Sequence, residues 1–373
     1  MIQRPPLTII AKPTHECNLA CKYCYVGESA ERGKMSEEIL QRSLERVSDF
    51  VDCSHWIWHG GEPLLMGVDF FREIKTLQTF YEARGKKFSN GIQTNGTLLD
   101  DEILQFCEET EDFHIGTSLD GPEEIHNMTR IYSNGDGSFR DVLRGIKLAQ
   151  KRGVGRGAIC VISSENIDHP REIYDFFKQE GLGLKLNPLV RAGRGDENFT
   201  DLGVTPKQYG SFLIRMWNIY NRDVQKTGTV SIDVNPFITV IGNLECQNPV
   251  GCNYSSSCRD HFISIGPQGD VYPCGRFDGL REFWMGNVNS HSLEDIMNSP
   301  VNLHLKERSP EKMSGCNICT YQKICNGGCM DHAYSNGGDI FERDYYCSAY
   351  KKLFSKMEDV LVEETNSVKG GGK

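Results

Sequence analysis

Cys17-Asn18-Leu19-Ala20-Cys21-Lys22-Tyr23-Cys24 follows the apolar run Leu7-Thr8-Ile9-Ile10-Ala11-Lys12. The run reads as a strand, so the C-x3-C-x2-C spacing puts three thiols on one tight loop at a strand's carboxyl end. Three thiolates there can hold three corners of a cubane iron–sulfur cluster and leave one iron without a protein ligand. A structural zinc would want a fourth protein ligand, for which His15 or His59 is available. Disulfides fit less well. The chain has 15 cysteines among 373 residues, and an odd count leaves a thiol unpaired in any disulfide scheme.

Outward from that loop, turn-punctuated apolar runs alternate with helical patterns. Strands are expected near residues 7–12, 55–59, 89–94, 113–119, 157–162 and 184–190. Helices are expected from Ser36, a good N-cap with Glu37 and Glu38 behind it, and near 68–83, 100–108, 138–152, 170–179 and 205–226. Six strand–helix units call for an α/β fold with a parallel sheet and right-handed crossovers, open or partly closed into a barrel. Reactive groups in such folds collect at the carboxyl ends of the strands. Three loops there are polar and Gly-rich: His59-Gly60-Gly61-Glu62-Pro63, Gln93-Thr94-Asn95-Gly96 and Ser118-Leu119-Asp120-Gly121-Pro122. Taken singly, each also reads as an ordinary turn.

Past Ile241 the alternation stops and cysteines crowd in, nine of the 15 lying between Cys246 and Cys347. Cys316, Cys319, Cys325, Cys329 and Cys347 form one group, and Cys252, Cys258 and Cys274 another. Eight thiols suffice for two closed four-ligand sites, iron–sulfur or zinc. Cys53, Cys107, Cys160 and Cys246 match no motif and are expected to be small buried apolar residues. The organisation is thus a strand–helix domain over 1–240, a loop-rich metal-stapled module over 241–350, and a C-terminal helix with a disordered tail over 351–373, the tail from Ser367.

Composition narrows the function classes. With 41 Lys+Arg against 51 Asp+Glu, the net charge of −10 argues against nucleic acid, which needs a basic footprint. No apolar run is long enough to span a membrane. The N-terminus shows no secretory pattern, so the expected location is the cytoplasm, where thiols stay reduced.

With these residues in place, the chain resembles the radical S-adenosylmethionine (SAM) enzymes, and its C-terminal module resembles their SPASM extension. Among these, it is most similar to anaerobic sulfatase-maturating enzymes and to maturases of ribosomally made peptides, which share runs like 92–97, 118–122 and Val271-Tyr272-Pro273-Cys274. The resemblance implies a partial (β/α)6 TIM-like barrel followed by a SPASM domain. It also implies SAM and three [4Fe–4S] clusters as cofactors. Cys17, Cys21 and Cys24 would bind the cluster whose open iron chelates SAM, and a 5′-deoxyadenosyl radical would take a hydrogen atom from substrate. Tyr23 would lie beside the adenine, and Gly60, Gly61 and Glu62 would meet the methionyl ammonium. Gln93, Asn95, Ser118 and Asp120 would lie near the ribose and methionyl end, with Arg130 on the SAM carboxylate. Cys252, Cys258, Cys274 and Cys329 would hold one auxiliary cluster, and Cys316, Cys319, Cys325 and Cys347 the other. The implied partners are a precursor peptide or protein substrate and an external electron donor, flavodoxin or ferredoxin.

The resemblance also exposes departures. Sulfatase-maturating enzymes of this type place a basic aspartate directly after the third ligand of the first auxiliary cluster, and here that position is Gly275. Asp278, three residues on, is the candidate catalytic base, against the reading of a solvated loop carboxylate. His59 is a second acid/base candidate, with a pKa near neutrality. Arg276 can grip an acidic substrate group or pair at the surface. Arg191 and Arg194 can bind an acidic peptide segment or the cofactor carboxylate. Only 16 residues precede Cys17, so the expectation is that a leader-gripping domain is missing and that a separate leader-peptide-binding protein or the cleft itself presents the substrate. These features favour oxidative cross-linking of a peptide residue. The alternatives are formylglycine formation in a sulfatase, modification of a non-peptide substrate, and a non-catalytic metal-binding or electron-transfer protein.

Overall fold

In the computed structural model, which describes residues 4–26, 33–246, 249–255 and 258–370, strand β2 (Cys53–Gly60) shows the governing pattern. Its residues alternate between buried and half-buried. Trp56 and Trp58 stack with ring centroids 5.3 Å apart on one face, within an apolar layer that also contains Leu44, Phe71 and Ile74. The pleat turns His55, Ile57 and His59 to the opposite face, the lumen. The same two-sided logic runs through β1 (Leu7–Thr14), α1 (Glu37–Phe50), α2 (Val68–Glu82), β3 (Lys87–Thr94), α3 (Asp101–Thr110), β4 (Phe113–Ser118), α4 (Phe139–Lys151), β5 (Gly155–Ile162), α5 (Pro170–Glu180), β6 (Gly183–Pro188) and α6 (Pro206–Thr227). Local chemistry sets the helix starts. Ser36 accepts a hydrogen bond from the Ile39 N–H, and Thr205 and Gln208 close a reciprocal capping box ahead of Pro206.

The strands form one sheet in the order β10-β9-β8-β1-β2-β3-β4-β5-β6-β7. Strands β1 to β6 pair in parallel and in sequence order, as right-handed strand–helix units require. Among the described residues β1 and β6 do not pair with each other, so the wall is a partial barrel. Strand β7 (Val234–Asn235) extends the β6 edge, and β8 (Phe262–Ile265), β9 (Asp270–Tyr272) and β10 (Gly286–Asn287) extend the β1 edge.

That extension differs from the expected division at residue 241. Strand β8 runs parallel to β1, Thr8 opposite Phe262 and Ala11 opposite Ile265. Ile263, Ile265 and Val271 belong to the same apolar layer as Leu7 and Ile9. An unpaired β1 edge would leave a row of backbone donors and acceptors unsatisfied, and the cysteine-rich module supplies the covering strand. The C-terminal helix also begins earlier than expected. Helix α8 (Cys347–Gly370) follows α7 (Phe237–Cys246) in this numbering and packs Tyr350, Leu353, Phe354 and Met357 with Tyr209, Phe212, Leu213 and Met216 of α6. It continues to Gly370 through the stretch from Ser367 expected to be disordered, since each residue added to a formed helix gains one backbone bond; residues 371–373 lie outside the described ones. None of the described helices is long and apolar enough to cross a membrane.

Candidate active site

The loop bearing Cys17, Cys21 and Cys24 leaves β1 at its carboxyl end and is stitched to a neighbouring segment. The Ala20 N–H donates to the Ile131 carbonyl at 2.7 Å and that of Lys22 to the Thr129 carbonyl at 2.9 Å. The three thiols are unbridged; the charge of Cys24 bears on Cys17, those of Cys17 and Cys24 bear on Cys21, and burial pushes Cys21 up to about 12. Donors surround them, with the Leu19 N–H 3.4 Å and Asn95 Nδ2 3.7 Å from Cys17 Sγ, and Arg130 Nη1 3.9 Å from Cys21 Sγ. Three convergent sulfurs ringed by N–H groups fit a thiolate-held iron–sulfur cluster, whose charge such donors stabilise.

Across from this loop, the β2 turn is pressed against it backbone to backbone. Gly61 N–H donates to the Thr14 carbonyl at 2.9 Å, and Glu62 N–H to the Glu16 carbonyl at 2.7 Å. A Cβ on Gly61 would stand 2.0 Å from the Glu16 oxygen, and one on Gly60 would stand 2.3 Å from the Thr14 oxygen. Only glycine allows that approach. Glu62 itself is fully buried. Its carboxylate accepts from Leu64 N–H at 3.0 Å, Thr94 Oγ1 at 2.7 Å and Asn95 N–H at 2.7 Å. Burial nevertheless outweighs these donors and lifts its pKa to about 7. No cation stands within ion-pair distance of it among the described residues. A buried carboxylate without a cation suits an incoming ammonium group such as that of SAM.

Several expected cofactor contacts are committed to the protein itself. Asp120, completely buried, accepts through Oδ2 from the Tyr23 hydroxyl and from Arg130 Nε at 3.2 Å, and through Oδ1 from Val161 N–H at 3.0 Å. Read from the sequence as lying near the ribose and methionyl end, it also orients Tyr23 and Arg130, because a buried carboxylate must be satisfied on both oxygens. The Arg130 guanidinium lies over the Tyr23 ring, 5.4 Å from its centroid, leaving its Nη arms toward the cysteine loop. Gln93 donates to the Thr117 carbonyl and to Ser118 Oγ at 3.0 and 3.1 Å. Asn95 bridges Asn18 and Thr97, so it braces the cysteine loop against β3.

In the C-terminal module, Cys252 lies within electrostatic reach of Cys258, Cys274 and Cys329, and Cys316 within that of Cys319, Cys325 and Cys347. Each set supplies four sulfur donors, which fits a closed cluster. Two organising residues were not legible in the sequence. Asp344 accepts from the Cys329 N–H at 2.8 Å and the Tyr346 N–H at 2.7 Å, and bonds His332 Nδ1 at 3.0 Å, tying the two sets together. Arg308 donates to the carbonyls of Gly327, Gly328, Ile340 and Glu342. The unmatched cysteines divide: Cys107 and Cys160 are buried as expected, but Cys53 is half-buried and Cys246 exposed, since they sit at the ends of β2 and α7.

Between the two regions of the site the lumen is lined by charge. Asp278 is not a solvated loop carboxylate. Its Oδ2 lies 3.0 Å from both Lys12 Nζ and His15 Nε2, and all three side chains are closed off from solvent. Burial opposes ionisation, yet Lys12 and His15 hold its carboxyl down at about 2. So bound, it is a weak base, and the sequence assignment as a reacting carboxylate gives way to a bridge between β1 and the Cys274 loop. Lys12 also donates to the Gly275 carbonyl at 2.6 Å. A Cβ at Gly275 would come within 3.0 Å of Ile10 Cγ2, so that position is packed against β1. Burial lowers His59 to about 4, away from the neutral range expected, and its Nδ1 accepts from the Gly60 N–H at 2.7 Å. Arg276 pairs inward with Asp331 at 3.0 Å, whereas Arg191 pairs with Asp196 on the surface. Lys185 of β6, absent from the sequence reading, also borders the lumen.

Two family models match the chain: the radical SAM superfamily over residues 11–177 and the SPASM iron–sulfur cluster-binding domain over residues 257–320. A cysteine-type anaerobic sulfatase-maturating enzyme of Clostridium perfringens is 30% identical, with 98% of this chain and 100% of that protein covered. A serine-type anaerobic sulfatase-maturating enzyme of Bacteroides thetaiotaomicron is 32% identical, covering 94% and 89%. The solved structure of anSMEcpe with bound AdoMet and the Kp18Cys peptide superposes with a TM-score of 0.85 at 27% identity, over 97% of this chain and 100% of the other.

Proposed function

This chain belongs to the radical SAM superfamily, in the SPASM-bearing branch that includes the anaerobic sulfatase-maturating enzymes, and from that premise we propose that it oxidises a Cys or Ser side chain of a protein substrate to formylglycine. The observation that carries this reading is the end-to-end match to the Clostridium perfringens enzyme. It displaces peptide cross-linking as the first choice. When bound, SAM and the [4Fe–4S] clusters supply a strong hydrogen-atom acceptor and a sink for one further electron. Cys17, Cys21 and Cys24 would hold the first cluster, Glu62 the methionyl ammonium and the free arm of Arg130 the SAM carboxylate, a fork suited to bidentate contact. The two auxiliary sets of four cysteines would hold the other clusters. An external flavodoxin or ferredoxin and a reducing, cytoplasmic setting complete the reading.

A second reading, oxidative cross-linking of a ribosomally made peptide with a separate leader-binding protein, is favoured by Gly275 and by Asp278. The first cannot take a proton, and the second is closed off by Lys12 and His15. Anaerobic incubation of the reduced holoenzyme and SAM with a Cys-x-Pro-x-Arg peptide separates the two. Formylglycine formation predicts an aldehyde by mass spectrometry. Intact peptide, alongside continued SAM cleavage, would reject it.

A further inference from the structure

The run Cys325-Asn326-Gly327-Gly328-Cys329 joins a cysteine of one auxiliary set to a cysteine of the other. All three residues between them lie in the left-handed region, with φ of 51° at Asn326, 82° at Gly327 and 71° at Gly328. Two consecutive glycines carry more backbone freedom than any other pair, so this joint needs outside support to hold one shape. The structure supplies it from three sides. A Cβ on Gly327 would stand 2.5 Å from Met313 Sδ, and one on Gly328 2.4 Å from Asp344 Cβ. The Met313 carbonyl accepts from the Cys316 N–H at 3.1 Å, and the Asp344 carbonyl from the Cys347 N–H at 2.9 Å. Arg308, just past the helix Pro300–Lys306, closes the third side. Its Nη1 donates to the Gly328 carbonyl at 3.0 Å, and its Nη2 to those of Gly327 and Glu342 at 3.2 and 2.9 Å. Its Nε donates to the Ile340 carbonyl at 2.5 Å. Every partner is a backbone carbonyl, and a rigid planar fork matches four of them as a compact ammonium does not.

We propose that Arg308 makes the two auxiliary cysteine sets one assembly unit, so that their clusters load together or not at all. The proposal deepens the function above and rests on its division of the eight cysteines into two sets. Releasing the Gly327 and Gly328 carbonyls lets Cys325 move relative to Cys329. Releasing those of Ile340 and Glu342 frees the segment leading to Asp344, which holds the Cys329 N–H, and to Cys347. A metal site forms only when its ligands converge, and its binding free energy is then folding free energy. A joint shared by two such sites passes the loss of one to the other. Arg308 donates to no sulfur among the described residues; it is a positioning residue that acts through the backbone.

Anaerobic reconstitution followed by iron analysis tests this. The parent should hold about twelve irons per chain and Arg308→Met about four, kept by Cys17, Cys21 and Cys24. SAM binding by equilibrium dialysis should persist in that variant. Arg308→Lys keeps the charge without the fork and should also fall to about four. Full loading of either variant overturns the proposal even if cluster midpoint potentials shift, since Arg308 would then be only a counter-ion. Loss of about four irons overturns it because a single set is served, and loss of all because the whole chain has collapsed. A measurement that leaves Arg308 untouched is native mass spectrometry of the Cys17→Ala/Cys21→Ala/Cys24→Ala protein given limiting iron. Each chain should carry both auxiliary clusters or neither, and an abundant one-cluster species overturns the coupling. A parent with about four irons would reject the auxiliary clusters and the proposal together, whereas a parent with about twelve and a one-cluster species in the triple variant would reject the coupling alone.

Discussion

Replacing Asp278 by Asn is the most informative single change. The carboxylate stands 3.0 Å from Lys12 and 3.0 Å from His15, with side-chain exposures of 3–5% for the trio. Its carboxyl is held at about 2 rather than the ordinary 3.8, which converts to about 2 kcal/mol of folding stability at neutral pH. Because the folded value is depressed, that stability is complete above about pH 4 and is lost as pH falls toward about 2. Neutralising Asp278 also strands the Lys12 ammonium in the interior. Breaking one side of a buried pair costs about 3–5 kcal/mol, whereas replacing both partners by apolar groups of similar volume is close to neutral. Anaerobic urea titration of the holoenzyme, followed through the buried Trp56 and Trp58, should therefore show Asp278→Asn destabilised by about 3 kcal/mol. The Lys12→Met/Asp278→Leu double variant should lie within about 1.5 kcal/mol of the parent. A loss below about 1 kcal/mol in the single variant, or additive losses in the double, would refute the buried bridge. If Asp278→Asn kept full stability and lost only product formation, Asp278 would be the base after all.

Two further outcomes follow from the same geometry. Glu62, lifted to about 7 by burial, carries its charge above that pH and is neutral below it. SAM binding measured by equilibrium dialysis should weaken about tenfold per pH unit below about 7, and Glu62→Gln should bind weakly with that dependence removed. Replacing Cys17, Cys21 and Cys24 together by Ala should remove about four of about twelve irons and abolish SAM cleavage, as iron analysis and nucleoside chromatography would report; loss of all the iron would contradict the separation of the thiol sets.

Much of the fold could be read directly from the chain. The six strand–helix units lie where alternation and capping residues put them, because pleat, helix period and caps are local properties. The Cys17, Cys21 and Cys24 loop was legible for the same reason, since a short loop confines cysteines a few residues apart to one neighbourhood, whereas the split that sends Cys329 to Cys252, Cys258 and Cys274 came only from the family resemblance. Strand β8 was missed because Phe262–Ile265 is only four residues long among turns, and its pairing partner β1 is far away in sequence. Arg308 was missed because its partners are backbone carbonyls, which no side-chain motif advertises.

By itself, then, the sequence determined the six strand–helix units and the gathering of Cys17, Cys21 and Cys24 on one loop, through chemistry acting over a few residues. The tertiary structure decided what each charge does. Asp278 meets a lysine and, 263 positions away, a histidine, Asp120 is used up on Tyr23 and Arg130, and Lys185 has no carboxylate partner among the described residues. Those outcomes depend on Coulomb forces and desolvation between groups brought together by the sheet, and on neither spacing nor composition.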